Sequence, residues 1–295
     1  MNTEIKKYGF KDGLPLEFEI IDLQDLIKKS KAIISAPHRN NFYHILWIQH
    51  GTATHSVDFN PIKITANSVL FVPKDCVHAF DTESDYSGKV LLFTDDFFCK
   101  NQNDHQFLQC NILYNDIYGI TRIQLNPPCE LSGILRDMET EFSMPSDTAQ
   151  HDILRNLLHN FLLIAERVKY KQGFKRLNAS ADLDYLILFK DLIEKNFKTE
   201  KLVSKYISDL NITENRLNKA TTLILDKTPK QLINERVLLE AKRLLAHDHT
   251  SIKEIAYELG FNEPTNFIKY FRKHTQNTPS EFRKKCNRVH TESII

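Results

Sequence analysis

Thr265, Asn266 and Lys269 lie in the stretch PTNFIKYFRK, whose aromatic residues Phe267, Tyr270 and Phe271 recur at helical spacing. A helix that buries the aromatics turns the threonine, asparagine and lysine to one solvent face, with Arg272 and Lys273 following. These side chains suit the edges of bases. An asparagine amide can pair with adenine, a lysine can donate to the guanine acceptors, and a threonine methyl can meet that of thymine. Between Glu263 and Arg288 seven basic residues, Lys269, Arg272, Lys273, Arg283, Lys284, Lys285 and Arg288, face two acidic ones, Glu263 and Glu281. A patch of that sign suits the phosphates that flank a groove.

The elements that must hold this face can be read upstream. Ser251, three residues ahead of Glu254, fits a capping box, and Ile252, Ile255, Ala256 and Leu259 mark one apolar face of a helix. Gly260 ends it with a left-handed turn, Phe261 packs into the corner, and Asn262 is expected to cap a second helix that tolerates Pro264 in its first turn. That is a helix-turn-helix, with the second helix shaped for a major groove. The continuous run IAYELGF, F-x-K-Y-F-R-K and TPSEFRK resembles the second helix-turn-helix and closing helix of the AraC/XylS family of transcription regulators.

The resemblance implies a first, equivalent unit, and Lys201 to Leu210, Asn211-Ile212 and the helix from Thr213 supply it in outline. Asn211 takes the glycine position, since asparagine also tolerates left-handed geometry. Ile207, Thr221 and Asp226 depart from the family's usual Ala, Phe and Gly, which puts the tightness of this unit in doubt. Val203, Tyr206, Leu210, Ile212, Leu217 and Leu223 are left to form its interior. By position in the motif, the resemblance makes Asn215, Asn218 and Lys219 the base-facing residues of the first unit and Thr265, Asn266 and Lys269 those of the second. Pro264 stands where relatives often place a polar reader, and Arg283 and Lys284 fall on the phosphate side. Helices are expected over Asp182–Asn196, Thr199–Leu210, Thr213–Leu225 and Thr228–His247. The last, at about 1.5 Å per residue, spans roughly the 34 Å between successive major grooves on one side of B-DNA.

The first half reads differently. FYHILWIQ, THSVDF, IKIT, SVLFV and KVLLF, between residues 42 and 93, are rich in β-branched and aromatic residues and are separated by turn chemistry at Gly51, Asn60-Pro61 and Asn67-Ser68. Their number and shortness favour a barrel or sandwich. The run PHRNNFYHILWIQHG, followed by SVLFVPKDCVHAF, is similar to the cupin-like sensor domain of many AraC-type regulators. Two apolar stripes follow: Leu131, Ile134, Leu135, Met138 and Phe142, then Ile153, Leu154, Leu157, Leu158, Phe161, Leu162, Ala165 and Val168. They predict a helix hairpin, which either covers the barrel or, as often in the family, carries a dimer contact. The expected organisation is a cupin-like sensor and dimerisation domain over residues 1–170, a polar linker over 171–181, and an all-α domain of two helix-turn-helix units over 182–295.

His38, His44, His50, His55 and His78 lack the H-x-H spacing and matching glutamate of a metal-binding cupin, so neither metal nor cofactor is expected. A barrel mouth lined by His38, Tyr43, Trp47 and His78 is expected instead to take a small organic effector; strand register decides which of Tyr43, His44 and Trp47 points inward. No Ser-His-Asp set, P-loop or H-E-x-x-H supports catalysis. The net charge of +1 conceals 20 basic against 16 acidic residues from Asp182 onward, and 19 against 22 before it. Five cysteines without C-x-x-C spacing, no signal-peptide core and no long apolar run lead to the expectation of a reduced, cytoplasmic chain. The reading is a homodimeric, effector-controlled regulator of promoter DNA, working with RNA polymerase if it activates. A metal-dependent cupin enzyme fused to a helical domain and a protein-interaction adaptor are the alternatives.

Overall fold

The computed structural model of the chain describes residues 7–10, 16–115, 119–126, 129–174, 180–247 and 250–292. They form two compact units, one running to residue 174 and one from residue 180. The middle of the expected linker, 175–179, lies outside the described residues.

The first unit is built on strands β1 (Lys7–Tyr8), β2 (Phe18–Asp22), β3 (His38–Asn40), β4 (Tyr43–Val57), β5 (Asn60–Thr65), β6 (Ser68–Val72), β7 (Val77–Ala79), β8 (Tyr86–Phe93) and β9 (Thr121–Gln124). All pairings are antiparallel except β1 with β3. Strand β4 organises them. Its first half pairs with β8 and β6, its second with β5 and β7. A turn was expected at Gly51, but the chain runs straight through. A register shift between Ile48 and His50 bends the strand from one layer into the other, as a bulge does. Gly51 sits beyond the bend at φ 77°, where a Cβ would stand 2.2 Å from the Asp85 carbonyl oxygen. The true hairpin turn is Asp58-Phe59, not Asn60-Pro61. Both residues are left-handed (φ 46° and 69°), as a two-residue hairpin loop requires.

The pleat divides the apolar residues into two cores. Leu46, Ile48, Ala53, Val57, Ile64, Leu70, Val72, Val90 and Leu92 fill the space between the layers. Ile45, Trp47, Val69, Phe71, Leu91 and Phe93 face the other way, onto helices α4 (Glu130–Ser143) and α5 (Gln150–Lys171). The two expected stripes therefore cover a sheet: Leu131, Leu135 and Met138 of one helix and Leu154, Leu158, Phe161, Leu162 and Ala165 of the other are buried there. Three further helices were not expected: α1 (Leu23–Ile34), capped by Asp22, α2 (Asp95–Phe98), capped by Thr94, and α3 (Gln102–Cys110), capped by Asn101.

The second unit is helical: α6 (Ala181–Asn196), α7 (Val203–Leu210), α8 (Glu214–Leu225), α9 (Pro229–His247), α10 (Ile252–Glu258), α11 (Pro264–Thr275) and α12 (Pro279–Glu292). Helix α7 starts four residues later than expected. The Glu200 carboxylate accepts the Leu202 N–H at 2.7 Å and the Glu200 carbonyl accepts the Tyr206 hydroxyl at 2.9 Å, which holds that stretch as a loop. Arg236 of α9 stacks 3.8 Å from the centre of the Phe197 ring and donates from two nitrogens to Glu194 of α6. It also donates to the buried Glu240 at 3.1 Å. This charged tie between α6 and α9 left no readable mark in the sequence.

Candidate nucleic-acid interface and sensor interior

Each helix-turn-helix is closed by a left-handed residue. In the first unit Asn211 takes φ 53° and ψ 43°, and Thr213 then caps α8 by accepting the Arg216 N–H at 3.3 Å. In the second, Ser251 and Glu254 form the expected capping box, and Gly260 takes φ 73°. Asn262 does not cap α11. The N-cap residue is Glu263, with no side-chain bond, and Pro264 removes one of the N–H groups that a cap would satisfy. Thr228 with Gln231 and Thr278 with Glu281 make reciprocal cap bonds at the starts of α9 and α12.

The second turn is held by charge as well as by glycine. The Lys201 ammonium donates to the carbonyls of Leu259 at 2.6 Å and Lys198 at 3.1 Å, and lies 4.8 Å from the centre of the Phe261 ring. Partial burial lowers its pKa. Tyr270 anchors α11 to α9 through a hydroxyl bond to the Asn234 side-chain oxygen at 3.1 Å, and Phe267 and Phe271 are fully buried.

With the aromatics inside, Thr265, Asn266, Lys269, Arg272 and Lys273 are all exposed. In α8, Asn215 and Lys219 are exposed and Asn218 is half-buried, while Leu217, Ala220 and Thr221 face inward. Leu223, expected in the interior, is 70% exposed. Six residues from Leu217, it falls about 120° around the helix from the buried face. Thr221 fills the family's Phe position fully buried, its hydroxyl bonded to the Asn218 carbonyl, and Asp226 takes the usual glycine conformation at φ 53°. Lys284 is exposed, but Arg283 is engaged. Its guanidinium donates to the Leu245 carbonyl at 3.2 Å and the Thr250 carbonyl at 2.8 Å, tying α12 to the loop between α9 and α10.

The structure divides the expected sensor set. Tyr43 and Trp47 lie on the helix-facing side of β4: Tyr43 stacks on Phe93 at 5.0 Å, and Trp47 meets Phe161 of α5 at 6.0 Å. His38 and His78 lie between the layers, joined by His44, which strand period places there once Tyr43 and Trp47 point outward, and by His55, which the register shift between Ile48 and His50 brings to the same side. The His38 and His78 rings are 4.4 Å apart. The Asn40 amide donates to Nε2 of His44 and of His78, both at 3.0 Å, so His78 keeps its proton on Nδ1 and donates it to His55 Nε2 at 3.2 Å. Asn40 Oδ1 and His55 Nδ1 are buried without a partner among the described residues. Burial lowers the pKa of all four imidazoles, to about 3 for His55, so the cluster is neutral. A separate polar pocket of about 410 Å³ opens at Phe10, Glu17, Lys74, Asp75, Asp95 and Asp96.

Two profiles match this chain: an AraC-like ligand binding domain over residues 32–124 and a helix-turn-helix domain over residues 206–285. The first covers the layered strands and the histidine cluster; the second runs from Tyr206 into α12. This chain is a regulator of the AraC/XylS family. Among its relatives is the HTH-type transcriptional activator RhaS of Escherichia coli O81 (strain ED1a), 25% identical over 250 residues, which are 83% of this chain and 86% of that one. Among solved structures, ToxT from Vibrio cholerae in its P21 form is 16% identical over 90% of this chain and 98% of that one, with a TM-score of 0.46. ToxT from the same species bound to an unsaturated fatty acid is 21% identical over 82% and 87%, with a TM-score of 0.43. This AraC-type chain thus joins a ligand-binding-type first half to a second half of two helix-turn-helix units. No helix among its described residues is long and apolar enough to cross a membrane.

Proposed function

We propose that this AraC-type regulator reads two successive major-groove segments of a promoter, through Asn215, Asn218 and Lys219 of α8 and Thr265, Asn266 and Lys269 of α11. The observation that carries the reading is the pairing of two left-handed turns with two polar helix faces in one unit joined by α9. That helix of 19 residues is about 28 Å long, near the roughly 34 Å groove repeat. Arg272, Lys273 and Lys284 serve the phosphates, and Arg283 positions the closing helix instead. The sensor interior at His38, His44, His55 and His78 receives a small organic effector, with the unpartnered Asn40 Oδ1 and His55 Nδ1 offering it one acceptor and one donor. The match of residues 32–124 to an AraC-like ligand binding domain supports control of this kind. Residues 1–170 form the sensor and dimer-forming part and 182–295 the DNA-reading part, and the chain acts as a homodimer that works with RNA polymerase if it activates. It works in the cytoplasm and carries out no catalysis.

The test is a titration on the sites recovered from a genome-wide map of bound DNA, against scrambled duplexes, at several salt concentrations. A specificity ratio of about a thousandfold or more supports the reading. Equal affinity for both duplexes leaves an adaptor that binds acidic surfaces.

A further inference from the structure

Outside both sites, the segment DDFFCKNQNDH brings three different metal-ligating groups together. The Asp95 carboxylate, Cys99 thiol and His105 imidazole have donor atoms that all lie within 4.8 Å of one another. Local structure accounts for the approach. Helix α2 is a single turn, closed by the Cys99 N–H on the Asp95 carbonyl at 2.7 Å, so the two side chains leave the same side four residues apart. The Asn101 side chain then caps α3, accepting the Asn103 N–H at 2.9 Å, and its carbonyl accepts the His105 N–H at 3.4 Å. That sets His105 on the first turn of α3, facing back to α2.

We infer that Asp95, Cys99 and His105 form a binding site for Zn²⁺. Tetrahedral zinc with bonds of about 2.0–2.3 Å needs ligand atoms roughly 3.3–3.8 Å apart. Closing from 4.8 Å takes about 1 Å of side-chain rotation, and His105 is exposed and free to supply it. One thiolate with one imidazole selects zinc over magnesium or calcium, which prefer all-oxygen shells. Asp95 is already oriented from behind. It accepts the Tyr43 hydroxyl at 3.2 Å and pairs with Lys74, the kind of outer support that metal-binding carboxylates require. It also lines the 410 Å³ polar pocket, which gives the ion a path from solvent. With three protein ligands the fourth position is left to water.

No metal was expected anywhere in the chain, an expectation argued from the barrel histidines alone, and this site lies apart from them. Its consequence is mechanical. Lys100 and Asp104, between the ligands, pair with Asp152 and Arg155 of α5, the latter at 3.5 Å. Zinc bridging α2 and α3 stiffens the seat of that helix.

Reduced, metal-free full-length protein titrated with Zn²⁺, and with Co²⁺ as its coloured substitute, tests the site. The expected result is one equivalent bound, with a sulfur-to-cobalt charge-transfer band in the near ultraviolet and tetrahedral bands in the visible. Cys99→Ser removes the first band, and His105→Gln, on the surface, weakens binding at least about tenfold without changing the fold. Mg²⁺ does not compete. No stoichiometric binding by folded wild-type protein, or a charge-transfer band that survives Cys99→Ser, overturns the assignment.

Discussion

Replacing Gly260 separates two reasons for glycine in a helix-turn-helix. The position is left-handed at φ 73°, and a Cβ built there stands 1.8 Å from the Lys198 carbonyl oxygen, against a closest real approach of 3.0 Å. Relief therefore requires a shift of about 1.2 Å between the α10–α11 turn and the loop after α6. The Lys201 ammonium spans that same gap, to Lys198 on one side and Leu259 on the other. Left-handed strain costs about 1–2 kcal/mol for alanine, and loss of one charge-assisted bond about 1.5–3 kcal/mol. Gly260→Ala should thus cost about 3–5 kcal/mol, much of the stability of an ordinary domain. Gly260→Asn is the sharper variant, because it copies Asn211, which serves in the first unit at φ 53°. Asparagine lowers the backbone strain but keeps the Cβ, so it should lose nearly as much. Urea unfolding followed by helical circular dichroism measures both. If Gly260→Asn lies within about 1 kcal/mol of wild type, backbone angle and not space fixes this residue, and the reasoning fails.

Acid should weaken the first unit through its histidines. Each has its pKa lowered by burial from the unfolded value of about 6.5, so stability is fully present above that pH and is lost as pH falls below it, by about 1.4 kcal/mol for His55 between pH 7.5 and 5.5, with His38, His44 and His78 acting in the same direction. A urea midpoint for the sensor half that stays flat over this range would contradict the buried cluster. Lys269→Ala should cost about 1–3 kcal/mol on the cognate duplex and relax preference at one base position; equal weakening on scrambled DNA would move the lysine to the phosphate contacts. Arg283→Ala should lower the unfolding midpoint of the helical half by freeing the Leu245 and Thr250 carbonyls, while the salt slope of DNA binding changes by less than one. Trp47→Ala should cost about 3–5 kcal/mol through its contact with Phe161, yet leave effector affinity per folded molecule unchanged, since Trp47 faces the helices.

Local rules determined much of this protein. Helical periodicity, the Ser251-Glu254 box, the Thr-Pro caps of α9 and α12 and the left-handed Asn211 and Gly260 are interactions within a few residues, so the double helix-turn-helix and its exposed lysines were legible in order. The Leu131 and Leu154 stripes were legible for the same reason: a helix repeats its face every few residues. Tertiary structure decided what depends on partners far along the chain. The packing of α4 and α5 on one face sent Tyr43 and Trp47 to the helices and His44 inward, and one bulge after Ile48 carried β4 through Gly51 into the second layer and shifted its alternation, which put His55 on the same inner side. A strand's alternation survives a slip by one residue, so the sequence specified two faces without saying which was inside. Arg283 and the Arg236 tie follow the same logic. Leu223 is turned out by the periodicity of its own helix, whereas Arg283 and Arg236 are placed by partners 33 to 42 residues away. The approach of Asp95, Cys99 and His105 is itself local, but it rests on α2 and α3, two short helices that apolar periodicity did not announce.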